Sequence, residues 1–576
     1  MCHRTEPVST PTEEPTVLRA LAADSAALGR SQLLERAPAA VAVLDPPAAS
    51  AHPPWWRPGR PVLAAVLLAA VLQLVWACFL ATNGGDMAAQ YAWAQFAAAH
   101  PGSAYDLAWY GGMHPVSYSV LTPYLMAFLG VRTSAVLAGT VAAALLARLL
   151  TRSGIDRPLL PALCGAAGLA CDTASGRVTF GVGACFALGA VLAVQERRDR
   201  RAPWIVAAGL LGVLATLASP VDGLFLLVAA PALALTGRRA EAVALAVGPP
   251  LVVGTTTLLF PFYGVQPNSS LDLVLVLVTA LAVALFSPRS WRSVRFGAWI
   301  YVLGNLLALA IPSPVGSNVE RLALLFAATV LLAAARASGG RRARVLWLAF
   351  AVAFCWQTVQ PVFDLADTVP AAGWTRYAQP LGAELERLGA DRARVEVVGA
   401  ASHVEASSLT PFVELARGWN RQVDIARNPL FYDGALTAAG YRAWLATWAV
   451  GYVVLPDAVP DYGSAAESRI VAAGPSWLHP VWRDPHWTVY RVADAAPLAS
   501  APARVLHAGA AELTLRLSGA GSTVLRIAWS PWLDLLGGAG GGCLTQDGHW
   551  TRLTAVAAGT YTVGARYTLP RGTPCR

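Results

Sequence analysis

Asn83-Gly84-Gly85-Asp86 puts a carboxylate directly after the first long apolar run of the chain, behind two glycines that let backbone come close to a ligand. An aspartate in that place can take the proton of a hydroxyl as a general base, or hold a divalent cation. It can equally be the N-cap of a helix beginning at Met87, because aspartate before an apolar periodic run is a common capping pattern. His114-Pro115 offers either a ligand-binding imidazole at the mouth of a helix or an N-terminal turn residue. Four further connections carry isolated polar residues among apolar neighbours: Asp172 and Arg177, then Asp222, then Gln266 and Asn268, then Ser317, Asn318, Glu320 and Arg321. Charged groups at the ends of membrane helices are costly unless paired or solvated, and they tend to mark a substrate path. The planar fork of Arg321 can grip a phosphate through two parallel hydrogen bonds; snorkelling, or a pair with Glu320 or Asp172, accounts for it as well.

The elements that must position these residues are membrane helices. Of 576 residues 56% are hydrophobic and 13% charged, against about 25% charged in globular chains. A disordered, fibrous or purely cytosolic protein is excluded. The net charge is +9 and every basic residue is arginine, which reflects compositional bias more than a nucleic-acid site, so no nucleic-acid partner is expected. Apolar runs of spanning or near-spanning length are expected at 62–81, 133–150, 158–171, 178–195, 203–218, 221–236, 241–259, 271–287, 294–312, 319–335 and 345–363, about eleven transmembrane helices in all. The run Val120–Leu129, ended by Gly130, is too short to span and is expected to be a re-entrant or interfacial helix. With the N-terminus in the cytoplasm, Arg57 and Arg60, Arg148 to Arg157, Arg197 to Arg201, Arg238 and Arg239, Arg289 to Arg295 and Arg336 to Arg344 all fall inside, and only Arg132, Arg177 and Arg321 outside. That asymmetry predicts a multi-pass cell-membrane protein with an extracytoplasmic C-terminal domain.

The chain divides into a disordered cytoplasmic tail (1–60), a transmembrane bundle (61–363), an exported α/β domain (364–500) and a small exported β domain (501–576), where apolar and polar residues alternate between glycine-rich turns. Val395–Val398 and Tyr452–Leu455 are strand patterns of the α/β part. Cys543 and Cys575 are the only two cysteines of the exported region and are expected to bond in an oxidising compartment, free thiols being the alternative. Cysteines 78, 164, 171, 185 and 355 lie in or near apolar runs and read as packing. No nucleotide-binding signature and no His-Glu-x-x-His is present. A reaction outside the membrane would then draw its energy from the substrate, as with a lipid-phosphate-activated donor, or from an ion gradient.

The long first loop with Gly84-Gly85-Asp86, Trp109-Tyr110-Gly111-Gly112 and His114-Pro115 before an apolar helix resembles membrane glycosyltransferases of the GT-C type. Ala416-Arg417-Gly418-Trp419, Asn428-Pro429-Leu430-Phe431-Tyr432, Tyr452-Val453-Val454-Leu455-Pro456-Asp457 and Trp487-Thr488-Val489-Tyr490 are similar to the exported ends of actinobacterial members. The resemblance implies a hexosyl or pentosyl transferase that moves a sugar from a polyprenyl-phosphate donor to an extracytoplasmic glycan, lipid or protein of the cell envelope, with membrane lipid as a partner. It implies Asp86 as the catalytic acid of the first loop. His114, Asp172, Arg177, Asp222, Asn318 and Arg321 are the expected substrate-binding residues. The second acid often found beside the first is missing, with Gly85 before and Met87 after; no cofactor is identified with certainty, and a divalent metal (Mg or Mn) is the one these residues could take. A multi-pass transporter or lipid flippase is the alternative. Gly248-Pro249-Pro250 would be its broken helix, but no second half repeats it.

Overall fold

The computed structural model describes residues 59–195, 201–368, 371–538 and 540–575. The expected N-terminal tail, apart from Gly59 and Arg60, and Arg197, Arg198 and Arg200 of the inner loops lie outside the described residues. From Pro58 onward the chain forms one compact unit.

Fourteen helices of the described residues run in order: α1 (Arg60–Val75), α2 (Asp86–Ala99), α3 (Thr122–Leu129), α4 (Val131–Arg152), α5 (Leu159–Ala174), α6 (Val178–Val194), α7 (Arg201–Ala218), α8 (Pro220–Leu235), α9 (Arg239–Leu259), α10 (Ser270–Phe286), α11 (Arg292–Ala310), α12 (Arg321–Arg336), α13 (Gly340–Thr368) and α14 (Ala371–Arg387), with shorter helices beyond. A π-turn, Trp76–Leu80, extends α1. The chain is a multi-pass membrane protein: six of the described helical segments are long and apolar enough to cross a bilayer, at Arg60–Leu80, Val131–Arg152, Arg239–Leu259, Arg292–Ala310, Gly316–Arg336 and Gly340–Thr368. Five more apolar helices, α5, α6, α7 from Ala202, α8 and α10, are shorter; a helix of 16 residues such as α5 rises about 24 Å, below the roughly 30 Å of a hydrocarbon core. Each apolar run expected to span has a helix, but their lengths divide them into six and five. Small residues let these helices approach. Gly139 of α4 faces Gln73 of α1, and Gly168 of α5 faces Gln357 of α13, each so closely that a Cβ would collide with the amide.

Beyond the membrane helices, β1 (Arg394–Val397), β2 (Val450–Pro456), β3 (Leu478–Arg483) and β4 (Trp487–Val492) form one sheet in the order β1-β2-β4-β3, parallel between β1 and β2 and antiparallel elsewhere. The C-terminal module holds β5 (Ala503–Ala508), β6 (Glu512–Leu517), β7 (Gly521–Ala528), β8 (Leu533–Gly538), β9 (Gly542–Asp547), β10 (Trp550–Ala555) and β11 (Gly559–Ala565), in sheets β7-β10-β9 and β5-β6-β11-β8. Alternate residues of both sheets, among them Leu513, Leu515, Leu525, Ile527, Leu553 and Val563, share one core. Cys543 and Cys575 are joined by a disulfide that ties β9 to the chain end.

The first loop is the joint between the layers. The amide of Leu107 donates to Ala510 O, that of Ala528 to Gly111 O and that of Leu415 to Ala108 O. The indole of Trp109 donates to Ala406 O, and Arg427 donates to the carbonyls of Tyr110 and Gly112. Gly112 has φ +120 and a Cβ there would meet Tyr105 at 2.2 Å, so only glycine fits. Trp109-Tyr110-Gly111-Gly112 is thus a docking segment, folded by its backbone bonds onto the β1–β4 sheet region and the C-terminal module.

Candidate active site

Asp86 is the first residue of α2. Gly85 is the cap residue, with φ 60 and ψ −140, and no side chain makes a cap hydrogen bond there. The N-cap reading of Asp86 is therefore corrected: the carboxylate makes no cap bond and is 44% exposed. The segment before it is held on three sides. Arg132 donates to Ala77 O, Ala81 O and Asn83 Oδ1, taking up carbonyls left free where the π-turn ends. Thr82 Oγ1 donates to Thr368 Oγ1 at the end of α13. The Gly85 amide donates to Ser402 O at 2.8 Å, and a Cβ on Gly84 would strike that same carbonyl. Asp86 is thereby fixed to both the end of α13 and the region of the β1–β4 sheet.

Its charge partner is Arg321, at the start of α12, whose guanidinium is 3.9 Å from the carboxylate and 5.3 Å from the ring centre of Phe180. A second pairing lies alongside. Arg177 is 3.9 Å from Asp172 and 3.9 Å from Asp364, and its loop is clamped to α2 by Gln90, which donates to Gly176 O and accepts from the Thr179 amide. Separations of 3.9 Å are ionic contacts without hydrogen bonds, so both guanidinium forks keep donors for an incoming anion.

A cavity of about 250 Å³ opens between these groups and the region of the β1–β4 sheet. Asp86, Arg177, Asp364 and Asp367 line it from the membrane side, and His403, Trp419, Arg421 and Asp461 from the other. The far wall is rigid: His403 stacks on Trp419 at 3.4 Å, Arg421 covers Trp419 at 4.7 Å, and Arg421 donates to both carboxylate oxygens of Asp461 at 2.8 Å. Burial works against charge on Asp461, but the His403 imidazole, 3.6 Å away, and the paired hydrogen bonds from Arg421 outweigh it and hold the carboxyl well below the usual range. Since Trp419 is stacked on His403 and in cation-π contact with Arg421, it is built into the wall by both.

Of the residues expected from sequence, Asp86 and Arg177 line the cavity, while Asp172 and Arg321 stand behind it as their ionic partners. Asp222 is buried against Gly183 of α6 and does not line it. Two others are placed elsewhere. His114 lies near Ala104 O at 2.8 Å through Nδ1 and Ser530 Oγ at 3.2 Å through Nε2; burial lowers its pKa to about 4, so it is a neutral pin between the first loop and the β module. Asn318 is buried in a 3-10 turn, with its amide toward Pro314 O. Both were expected at the site because a lone polar residue between apolar runs has the same sequence appearance whether it faces a ligand or a backbone carbonyl. Conversely, Asp364, Asp367, His403, Arg421 and Asp461 escape sequence reading; the only signal is charge density in a segment otherwise built as core.

Among the described residues no three His, Cys, Asp or Glu side chains group together as a metal site, and Asp86, Asp172 and Asp364 each face an arginine.

Next to His403, Glu405 accepts from the Ala400 amide and burial raises its pKa from 4.5 to about 8. A carboxyl raised on folding contributes stability that is full below its unfolded value and is lost as pH rises through its folded value. Glu405→Gln should therefore flatten the fall of the unfolding free energy between pH 4.5 and 8, measured in nanodiscs beside the wild type, by up to ~1.4 kcal/mol per pH unit. Parallel pH curves for the two proteins would refute this.

The family description matching this chain is a domain of unknown function (DUF8823), over residues 500–576. No curated protein matches by sequence. Among solved structures the chain is similar to arabinofuranosyltransferase AftD from Mycobacteria (14% identity, TM-score 0.43, over 76% of this chain and 42% of that one). It is also similar to the Archaeoglobus fulgidus oligosaccharyltransferase (12%, 0.42, 69% of each chain) and to ArnT from Cupriavidus metallidurans (12%, 0.39, 74% of this chain and 97% of that one). The chain thus spans less than half the length of the AftD chain it matches. Likeness at this level does not decide the chemistry, which has to come from the cavity.

Proposed function

We propose that this protein is a GT-C-type membrane glycosyltransferase that moves a sugar from a polyprenyl-phosphate donor to an acceptor on the outer face of the cell membrane. In this reading eleven helices span, the N-terminus is cytoplasmic, and the soluble sheets are extracytoplasmic. The observation that carries it is one half-exposed carboxylate, Asp86, facing a cavity where membrane helices meet the soluble domain, with two guanidinium groups close by. The volume is near the lower end of small-ligand pockets, about 300 Å³.

The chemistry balances without a further reactant. The acceptor hydroxyl oxygen attacks the anomeric carbon, the bond from that carbon to the phosphate oxygen breaks, and polyprenyl phosphate leaves with the electron pair. The hydroxyl proton passes to Asp86. Arg321 and Arg177 hold the phosphate and stabilise the charge that grows on the leaving oxygen. When Arg321 turns to the phosphate it leaves its 3.9 Å ionic contact with Asp86, and the carboxylate is free to receive the acceptor hydroxyl.

Transfer of radiolabel from polyprenyl-phosphate sugars in membranes tests this. Arg321→Lys keeps charge but loses the fork, and should raise the donor KM about tenfold, the size of one charge-assisted hydrogen bond of ~1.4 kcal/mol. An unchanged donor KM would remove Arg321 from the phosphate site. A wild-type protein that transfers from no such donor would overturn the proposal as a whole.

A further inference from the structure

The turn that follows β11 reads Arg566-Tyr567-Thr568-Leu569-Pro570-Arg571, and it lies against the end of a membrane helix. The indole of Trp532 donates to Leu259 O, the last residue of α9, at 2.8 Å. Phe260 stacks on Trp532 with ring centres 5.0 Å apart, and Tyr567 meets both rings edge-on at 5.9 and 6.0 Å. On the other side, the Tyr567 hydroxyl is 3.5 Å from that of Tyr124 in α3.

Those neighbours fix the level of the turn. One face of α9 exposes Val243, Val247, Leu251 and Leu258, at 58%, 50%, 63% and 81%. Their spacing of four, four and seven residues makes one continuous stripe, which in a spanning helix faces hydrocarbon. The stripe ends at Leu258, one residue before the carbonyl that binds Trp532. Phe128, one turn from Tyr124 in α3, is 86% exposed, and Leu569 at the tip of the turn is 85% exposed. A fully exposed leucine between two arginines, beside a tyrosine and a tryptophan, has the composition of an interfacial segment: apolar tip, aromatic belt, cations at headgroup level.

We propose that the Arg566–Arg571 turn is a membrane anchor of the C-terminal module, with Leu569 inserted among the acyl chains and Arg566 and Arg571 on the phosphates of anionic phospholipids. It gives the module a second attachment, independent of its contacts with the first loop, and it does not depend on the catalytic proposal. Electrostatic attraction near a charged leaflet is worth about 1 kcal/mol per arginine, or roughly a fivefold gain in occupancy of the inserted state for each.

Photo-crosslinking of the full chain in nanodiscs tests it. A benzophenone side chain replaces Leu569, and in separate proteins Phe79, an exposed residue of the first membrane segment, and Val556, an exposed residue in the turn between β10 and β11 of the same module. Phospholipid adducts should form at 569 as at 79, in several-fold excess over 556. Equal yields at 569 and 556 would overturn the anchor. In nanodiscs containing phosphatidylglycerol, Arg566→Gln should cut the adduct at 569 several-fold; Arg566 is exposed, so the change leaves the fold intact. An adduct yield unaffected by that substitution would overturn the headgroup role of the arginine.

Discussion

The Asp86→Asn protein should insert, fold and hold its disulfide like the wild type while glycosyl transfer falls by about 10²- to 10⁴-fold, the range of a general base. Asparagine keeps the size of the side chain and removes its basicity. Structural cost is small because Asp86 makes no cap bond and its carboxylate is half-exposed, with a single ionic contact at 3.9 Å to Arg321. Loss of a negative charge in the first turn of α2 costs about 0.3–1 kcal/mol through the helix dipole, too little to explain a thousandfold loss. Turnover of labelled donor by equal amounts of folded protein is the measurement. Wild-type turnover in the variant would make Asp86 a dipole partner only and remove the base from the mechanism.

The second large effect concerns stability. Arg417 is buried, and it donates through Nε and Nη2 to Asp424, at 3.1 and 2.7 Å, and through Nη1 to Glu467 at 3.0 Å. Glu396 is 3.5 Å away, and the guanidinium lies 4.0 Å from the ring centre of Phe431. Burial opposes charge on Asp424, yet Arg417, Tyr432 and Asn428 keep its carboxyl below the usual range. Burial raises Glu396 and Glu467 instead, so Asp424 is the carboxylate that answers the guanidinium most firmly. Arg417→Met fills similar volume but leaves Asp424 charged in the core without its partner, a loss of about 3–5 kcal/mol. The midpoint of unfolding in detergent should drop by many degrees, and membrane insertion should persist because α1 to α13 lack this contact. A midpoint unchanged within error would show that the network does not hold the sheet domain together.

This network also shows why the soluble part reads poorly from sequence. Ala416-Arg417-Gly418-Trp419 is visible as a motif, but its meaning is not. Gly418 is required because Trp109, some three hundred residues earlier, lies 2.3 Å from where its Cβ would be. The strand patterns at Val395–Val398 and Tyr452–Leu455 match β1 and β2, because a short run rich in β-branched residues, buried on both faces, is a local signal. Their parallel pairing is not local, since it needs the helices between them.

The chain by itself determined the membrane helices, since burying apolar runs while satisfying every backbone group leaves only the helix, and it determined Asp86 and the arginines at the helix ends, because a charge between apolar runs is visible one residue at a time. Only the tertiary structure decided which of those charges meet. It sent His114 to Ser530 and Asn318 to a backbone carbonyl, and it brought Asp364, His403, Arg421 and Asp461 to the cavity before Asp86. The physical reason is range. Hydrophobic periodicity and helix ends are set within a few turns of chain. A cavity wall assembled from α2, α13 and the loops of a sheet more than three hundred residues beyond α2 is set by packing, and a single polar residue carries no mark of the partner that packing will bring to it.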